Sequence, residues 1–214
     1  MGHRICRECL GSISPLAEPL CGLCGLPQSR AGLCRQCQDQ PPSFDALRSW
    51  SAFEGPLRNI LLKLKYKGDV SLGDALAVPL ANFVASLDWK PEIVIPIPLS
   101  RLRLAERGYN QVGVVARPLS MALSLAYVPR ALSRERETRT QVGLTGPERR
   151  DNVRDAFQAR APLVAGKTVL LLDDVATTGA TLSSAADSLR QGGAKRVLAV
   201  TPGRALPHHG LVSA

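Results

Sequence analysis

The amino-acid sequence predicts an α/β fold, an open parallel sheet flanked by helices, with a small cysteine-rich module ahead of it. Three observations carry this. Thr168-Val169-Leu170-Leu171-Leu172 is an apolar run of the kind found in strands covered on both faces. It leads through a turn into a helical stretch with Leu182, Ala185, Ala186 and Leu189 on one face, a stop at Gly192-Gly193, and a second apolar run from Arg196 to Thr201. Strand, helix and strand in that order make a βαβ unit, whose strands are parallel and whose crossover is right-handed. Finally, all six cysteines lie within residues 1–42, where no periodic apolar pattern exists, so that segment needs something besides burial to fold.

The other elements follow in order. Gln40-Pro41-Pro42-Ser43 reads as a linker between a module at 1–42 and a main domain at 43–214. Ala46 to Phe53 reads as a strand. Gly55-Pro56 opens a helix, because proline is tolerated in the first turn, and Leu57, Ile60, Leu61 and Leu64 repeat at i, i+3, i+4 and i+7. A second helix runs from Ser71 to Leu87, with Leu72, Leu76, Leu80, Phe83 and Leu87 inward. Ile93 to Pro98 is a buried strand closed by prolines. A helix from about Asn110 to Leu125 follows, then a short strand at Val128 to Leu132. Residues 133–155 read as irregular, polar and mobile.

Composition narrows the function. Hydrophobic residues make up 45% and charged residues 21%, which allows a packed core. Aromatics are only 4%, which leaves few rings for a base-stacking surface. The net charge of +9 calls for anionic partners. From Arg101 to Arg154 there are eleven arginines and no lysine, and arginine's planar fork grips phosphate oxygens in pairs. No apolar run approaches the about 20 residues of a membrane span. Met1 to Leu10 lacks the apolar stretch of a signal peptide. The expectation is a cytoplasmic protein, in which reduced cysteines signal metal or catalysis more than disulfides.

Cys6-x-x-Cys9, Cys21-x-x-Cys24 and Cys34-x-x-Cys37 are three knuckles, and two of them supply the four thiolates of a closed structural zinc site. Cys21, Cys24, Cys34 and Cys37 pair best, with nine residues between the knuckles. Metal binding would then replace the missing core. Cys6 and Cys9 are left either to an incomplete second site or to an upstream knuckle beyond this sequence.

The strand at 168–172 ends in Asp173-Asp174, then Val175-Ala176-Thr177-Thr178-Gly179-Ala180-Thr181. Backbone amides of such a turn and of the following helix can point at one phosphate. Gly179 permits close approach, and Thr177, Thr178 and Thr181 add hydroxyls. The paired carboxylates sit where vicinal ribose hydroxyls can donate to them, at the carboxyl end of a parallel strand, where α/β sheets bind ligands. The loops of ATPases and dinucleotide-binding proteins are missing.

The run of apolar strand, Asp173-Asp174 and Thr177-Thr178-Gly179-Ala180-Thr181 resembles the signature of type I phosphoribosyltransferases, which use phosphoribosyl pyrophosphate (PRPP). Further segments resemble the ComF family of competence proteins over nearly the whole chain: Val94-Ile95-Pro96-Ile97-Pro98-Leu99, then Arg101, Arg103 and Arg107-Gly108-Tyr109-Asn110-Gln111. Gln141-Val142-Gly143-Leu144 through Arg149-Arg150 and Asn152 to Ala156-Phe157, Leu64-Lys65-Tyr66-Lys67-Gly68-Asp69 and the cysteine-rich front also fit. The resemblance implies a type I phosphoribosyltransferase-like open parallel sheet flanked by helices, with a small N-terminal zinc-ribbon module. Family members often carry four knuckles, and this chain carries three.

The resemblance also implies roles. Asp173 and Asp174 would be catalytic. Ala176, Thr177, Thr178, Gly179, Ala180 and Thr181 would hold phosphate, and the turn from Leu99 and Ser100 through Arg101 and Arg103, with Arg107, would hold pyrophosphate. Residues 133–150 would be a lid, bringing Arg134, Arg136 and Arg139 over the leaving group. Mg²⁺ would accompany PRPP, and zinc would be structural. Purine-salvage relatives carry an aspartate near the base where this chain has Thr177, which removes a candidate general base and leaves the acceptor open. Tyr66, Tyr109 and Trp89 are expected to be structural. Two functions compete: PRPP-dependent transfer of a phosphoribosyl group, and a non-catalytic accessory protein that binds single-stranded DNA beside the DNA-uptake machinery of natural competence.

Overall fold

A computed structural model of the protein describes residues 5–136 and 156–206. Within them, β1 (Ala46–Ala52), β2 (Ile93–Pro96), β3 (Ala126–Tyr127), β6 (Thr168–Leu172), β7 (Val175–Ala176) and β8 (Arg196–Arg204) form one parallel sheet, in the order β1-β8-β6-β2-β3, with β7 also on β8. Each β6 residue from Thr168 to Leu172 is buried, and β6 lies between β2 and β8. The continuous apolar run at 168–172 thus marks a central strand.

Alternation along β6 sorts the core into two layers. Leu170 and Leu172, with Val94, Leu198 and Val200, face α3 (Gly55–Tyr66), α4 (Ser71–Ala85) and α6 (Gln111–Ala122). Those helices contribute Leu57, Leu61, Leu64, Leu72, Leu76, Leu80, Val115 and Leu119. Val169 and Leu171, with Ile95, Val197 and Ala199, face α8 (Ala180–Gln191), which contributes Leu182, Ala185, Ala186 and Leu189. The same second layer contains Cys21, Cys24, Cys34 and Cys37 with Phe44 and Leu47. The cysteine-rich segment therefore packs on the sheet beside α8, filling space that a further helix would otherwise cover. Two short helices, α1 (Arg7–Gly11) and α2 (Arg35–Asp39), start at cysteines of the first and third knuckles.

The sheet and the long helices follow the sequence expectation. Around residue 130 they do not. Instead of one strand at 128–132, β3 ends at Tyr127, a 3₁₀ turn occupies Pro129–Ala131, and β4 (Leu132–Arg134) begins a separate pairing. Pro129 has no N–H to give a ladder and its fixed φ suits the first position of a turn. β4 pairs antiparallel with β5 (Phe157–Ala159), which precedes the short helix α7 (Ala161–Val164). The expected lid lies mostly outside the described residues, Arg139 included. The segment after Pro98 is also more regular than a loop: Ser100 accepts from the amide of Arg103 at 3.4 Å and caps α5 (Arg101–Arg107). No helix among the described residues is long and apolar enough to cross a membrane.

Candidate functional site

Where β6 ends, the chain turns out of the sheet. The amide of Asp173 still donates to the carbonyl of Val200, at 3.2 Å, and the amide of Asp174 donates to Asp173 Oδ1, at 2.8 Å. β7 then rejoins β8, pairing Ala176 with Arg204. Thr177 and Thr178 are half-buried. Gly179 has φ +78°, a left-handed conformation that glycine adopts without the penalty of a side chain, and it is the cap from which α8 departs. The Thr178 hydroxyl accepts from the amide of Ala180 at 3.3 Å. The amides opening a 12-residue helix therefore come to the same turn as the two acids. Thr181 is the second residue of that helix.

Asp174 is tightly held. Lys65 Nζ, from the last turn of α3, lies 3.0 Å from Asp174 Oδ2, and Gln111 Nε2, from the first turn of α6, donates to the same oxygen at 2.7 Å. Asp173 has its carboxyl pushed up to about 7, first by burial and then by the negative Asp174 beside it, against the opposing charges of Lys65 and Arg134. Burial disfavours the charged form of Lys65, but the two aspartates outweigh it and hold the ammonium above its ordinary range. The pair is thus one firmly anchored carboxylate and one that titrates near neutral pH.

Leu99 and Ser100 link β2 to α5, and Ser100 is buried. Arg101 is exposed and Arg103 half-buried. Arg107 donates through Nη1 to Gln111 Oε1 and stacks its guanidinium 5.6 Å from the centre of the Tyr66 ring. Asn110 ties the segment to the sheet: its amide group donates to the carbonyl of Ile97 at 2.9 Å, and its oxygen caps α6 by accepting from Val112 at 3.0 Å. Tyr109 donates to the carbonyl of Leu64, which is a structural role, whereas Tyr66 is 70% exposed. Arg134 packs 5.4 Å from the centre of the Phe157 ring, and Arg136 is exposed. Lys65 and Gln111 are not among the residues that the sequence marks for the site, yet both bond Asp174. Helical periodicity makes Lys65 a residue next to the inward Leu64 and nothing more; only its place in Leu64-Lys65-Tyr66-Lys67-Gly68 singles it out. A cavity of about 510 Å³ opens elsewhere, between Arg117, Tyr127, Pro129, Arg130 and Leu163, and holds none of these groups.

Cys21, Cys24, Cys34 and Cys37 bring their Sγ atoms within 4.8 Å of one another, all buried. A tetrahedron with zinc–sulfur arms of about 2.3 Å has edges of about 3.8 Å, and Cys24 Sγ lies 3.7 Å from Cys34 Sγ. The amide of Cys34 donates to Cys21 Sγ at 3.3 Å. Four thiolates around a divalent ion leave a net negative charge. The buried guanidinium of Arg204 answers it: Nη1 donates to the Cys24 carbonyl at 2.8 Å, and its Nε has no hydrogen-bond partner. These residues can hold a metal ion such as zinc. Cys6 accepts at Sγ from the amide of Cys9, and neither joins a ligand cluster among the described residues.

The two centres share a floor. The amide of Leu47 donates to the carbonyl of Leu23 at 2.7 Å, and Arg48 Nη1 donates to that of Gly22 at 3.2 Å. Gly25, at φ +65°, lets the knuckle press so close that a Cβ there would sit 2.4 Å from the carbonyl oxygen of Leu47. On their other side, Phe44 and Leu47 reach the turn, 3.6 and 3.7 Å from where a Cβ on Gly179 would lie.

A family model described as the phosphoribosyl transferase domain matches residues 74–205. The DNA utilization protein YhgH of Escherichia coli O157:H7 is 32% identical over 205 residues, 92% of this chain and 89% of its own. Competence protein F of Haemophilus influenzae is 32% identical over 203 residues, 90% of this chain and 87% of its own. Among solved structures, the allosteric regulatory enzyme of purine biosynthesis is 22% identical, with a TM-score of 0.41 over 61% of this chain, which spans only 26% of that enzyme.

Proposed function

Because this chain belongs to the ComF family of competence proteins and carries a phosphoribosyl transferase domain, we propose that it binds PRPP, or a related phosphorylated ribose, and transfers the phosphoribosyl group. The observation that carries this is the meeting of a half-buried acid pair with the hydroxyls of Thr177 and Thr178 and the amides opening α8. In this reading the amides and hydroxyls take the 5′-phosphate, and Asp173 and Asp174 accept hydrogen bonds from the ribose hydroxyls. An acceptor bonds to C1 of the sugar as the bond from C1 to pyrophosphate oxygen breaks, and the charge gained by pyrophosphate falls to Arg101, Arg103, Arg107, Arg134 and Arg136. Mg²⁺ would add charge neutralisation, held mainly by the oxygens of PRPP and by water. The division into a zinc module at 1–42 and a ligand domain at 43–214, and residence in the cytosol, belong to the same proposal.

Calorimetry with PRPP and Mg²⁺ tests it. Heat of binding is expected from the wild type, and Asp173→Asn should weaken affinity by about 10- to 100-fold, without a fall in melting temperature. No heat from the wild type, where a control transferase binds, removes the reading.

A second reading keeps the fold and drops catalysis: an accessory protein that binds single-stranded DNA in uptake. The exposed Arg101 and Arg136 favour it, and the relatives' names place those proteins in DNA utilization and competence. Its affinity for a strand would fall steeply as salt rises, in proportion to the phosphates contacted. A flat salt response rejects it.

A further inference from the structure

Among the described residues, the ion pair of Lys65 and Asp174 differs from the others. Its side chains are only 20% and 11% exposed, whereas the pairs of Arg35 with Asp39 and of Lys90 with Asp88 lie in open solvent, where such pairs contribute little. Enclosing an ammonium and a carboxylate costs solvation, so an enclosed pair persists when further hydrogen bonds complete it. Here they do. Gln111 donates to the oxygen that Lys65 holds, Arg107 donates to Gln111, and Arg107 lies over the ring of Tyr66, the neighbour of Lys65 in the chain. Contacts from α3, α5 and α6 thus close a ring around one carboxylate oxygen.

We propose that Lys65 is a positioning residue of the phosphoribosyl site: with Gln111 it fixes Asp174 Oδ2 on the protein side, leaves the other carboxylate oxygens of the pair for the ligand's sugar hydroxyls, and supplies a positive charge that opposes the repulsion between the two acids. The ligand named here rests on the proposed function, but the electrostatic role does not. Asp173 faces Asp174 from its own turn, Lys65 from α3 and Arg134 from β4. Of the two cations, Lys65 is the one that also bonds the pair directly. Two adjacent carboxylates repel, and without a cation at hydrogen-bond distance one of them keeps its proton. A protonated Asp173 loses acceptor capacity for sugar hydroxyls.

The test uses the full-length, metal-loaded protein as wild type, Lys65→Met and Lys65→Arg. Carbon-13 resonances of the aspartate carboxyls, followed against pH without ligand, should show Asp173 titrating near 7 in the wild type, at clearly higher pH in Lys65→Met, and close to wild type in Lys65→Arg. PRPP affinity of Lys65→Met should be lower by about tenfold at pH 6.5 and recover to within about twofold at pH 9. Loss of fold would depress affinity at every pH and lower the melting temperature. If Asp173 titrates at the same pH in Lys65→Met as in the wild type, the proposal is overturned, whether or not PRPP binds. If the wild type binds no PRPP yet the carboxyl moves as expected, the ligand assignment fails and the role of Lys65 stands. If PRPP binds but the loss in Lys65→Met is the same at pH 6.5 and 9, Lys65 acts as a structural pin only.

Discussion

Cys21, Cys24, Cys34 and Cys37 are exposed by 8% or less, while Asp173, Asp174, Thr177 and Thr178 remain half-buried. Both groups are built on tight turns with left-handed glycines, Gly25 and Gly179. They differ in what they leave open. The cysteine set spends all four positions of a tetrahedron on protein sulfur, which suits a structural ion and gives a substrate no place. The residues of the acidic turn stay only partly covered, which suits a ligand that comes and goes. Openness therefore separates a centre that holds the fold from one that uses it. Phe44 and Leu47 lie between the two, so the centre that holds the fold also supports the turn.

The largest effect should come from the closed side. Cys37→Ser removes one thiolate, and the metal count by elemental analysis should fall to background. Thermal stability should drop by about 3–5 kcal/mol, since metal-binding energy is folding energy there. If the two centres are coupled through Leu47, hydrogen exchange at 176–181 should also quicken. Unchanged exchange at the turn would show that the shared floor carries no coupling and that the comparison is one of neighbours only.

The next effect isolates the open side. A carboxyl whose folded value is raised favours its protonated form in the fold. The stability it contributes is complete at low pH and is lost as pH rises through about 7. The urea midpoint of the wild type should therefore fall between about pH 4 and about pH 7. Asp173→Asn should lack that part of the slope. An identical profile in both would mean that the acid pair has no strain to relieve.

The smallest effect tests the hinge between them. A Cβ on Gly179 meets Phe44 and Leu47 at ordinary contact distance, so the obstacle to Gly179→Ala is its φ of +78° and not space. The expected loss is about 1 kcal/mol in stability, with weaker PRPP binding and an unchanged metal count. Loss of metal in this variant would mean that coupling runs from the open centre to the closed one as well.

Much of this was legible beforehand, for identifiable reasons. The central strand showed itself because β6 is apolar at every position, and α3 because its leucines repeat at helical spacing. The cluster of Cys21, Cys24, Cys34 and Cys37 was readable because knuckle spacing is local chemistry: two cysteines three apart already sit in one turn. The break at Pro129 was missed because an apolar run was given more weight than a missing amide. The exposure of Tyr66 was missed because a ring at a helix end reads as packing, and its partner Arg107 comes from a different helix.

The sequence by itself determined most of the elements, the parallel order of β6 and β8, and the four cysteines able to hold a metal, since all of these are set by neighbours within a few positions along the chain. Tertiary structure alone decided that the cysteine cluster packs in one core layer against the sheet, that Phe44 and Leu47 of that layer reach Gly179, and that Lys65 and Gln111 meet on Asp174. Those pairings join segments far apart in sequence, and a residue's pattern carries no record of which distant partner the packing of layers will bring to it.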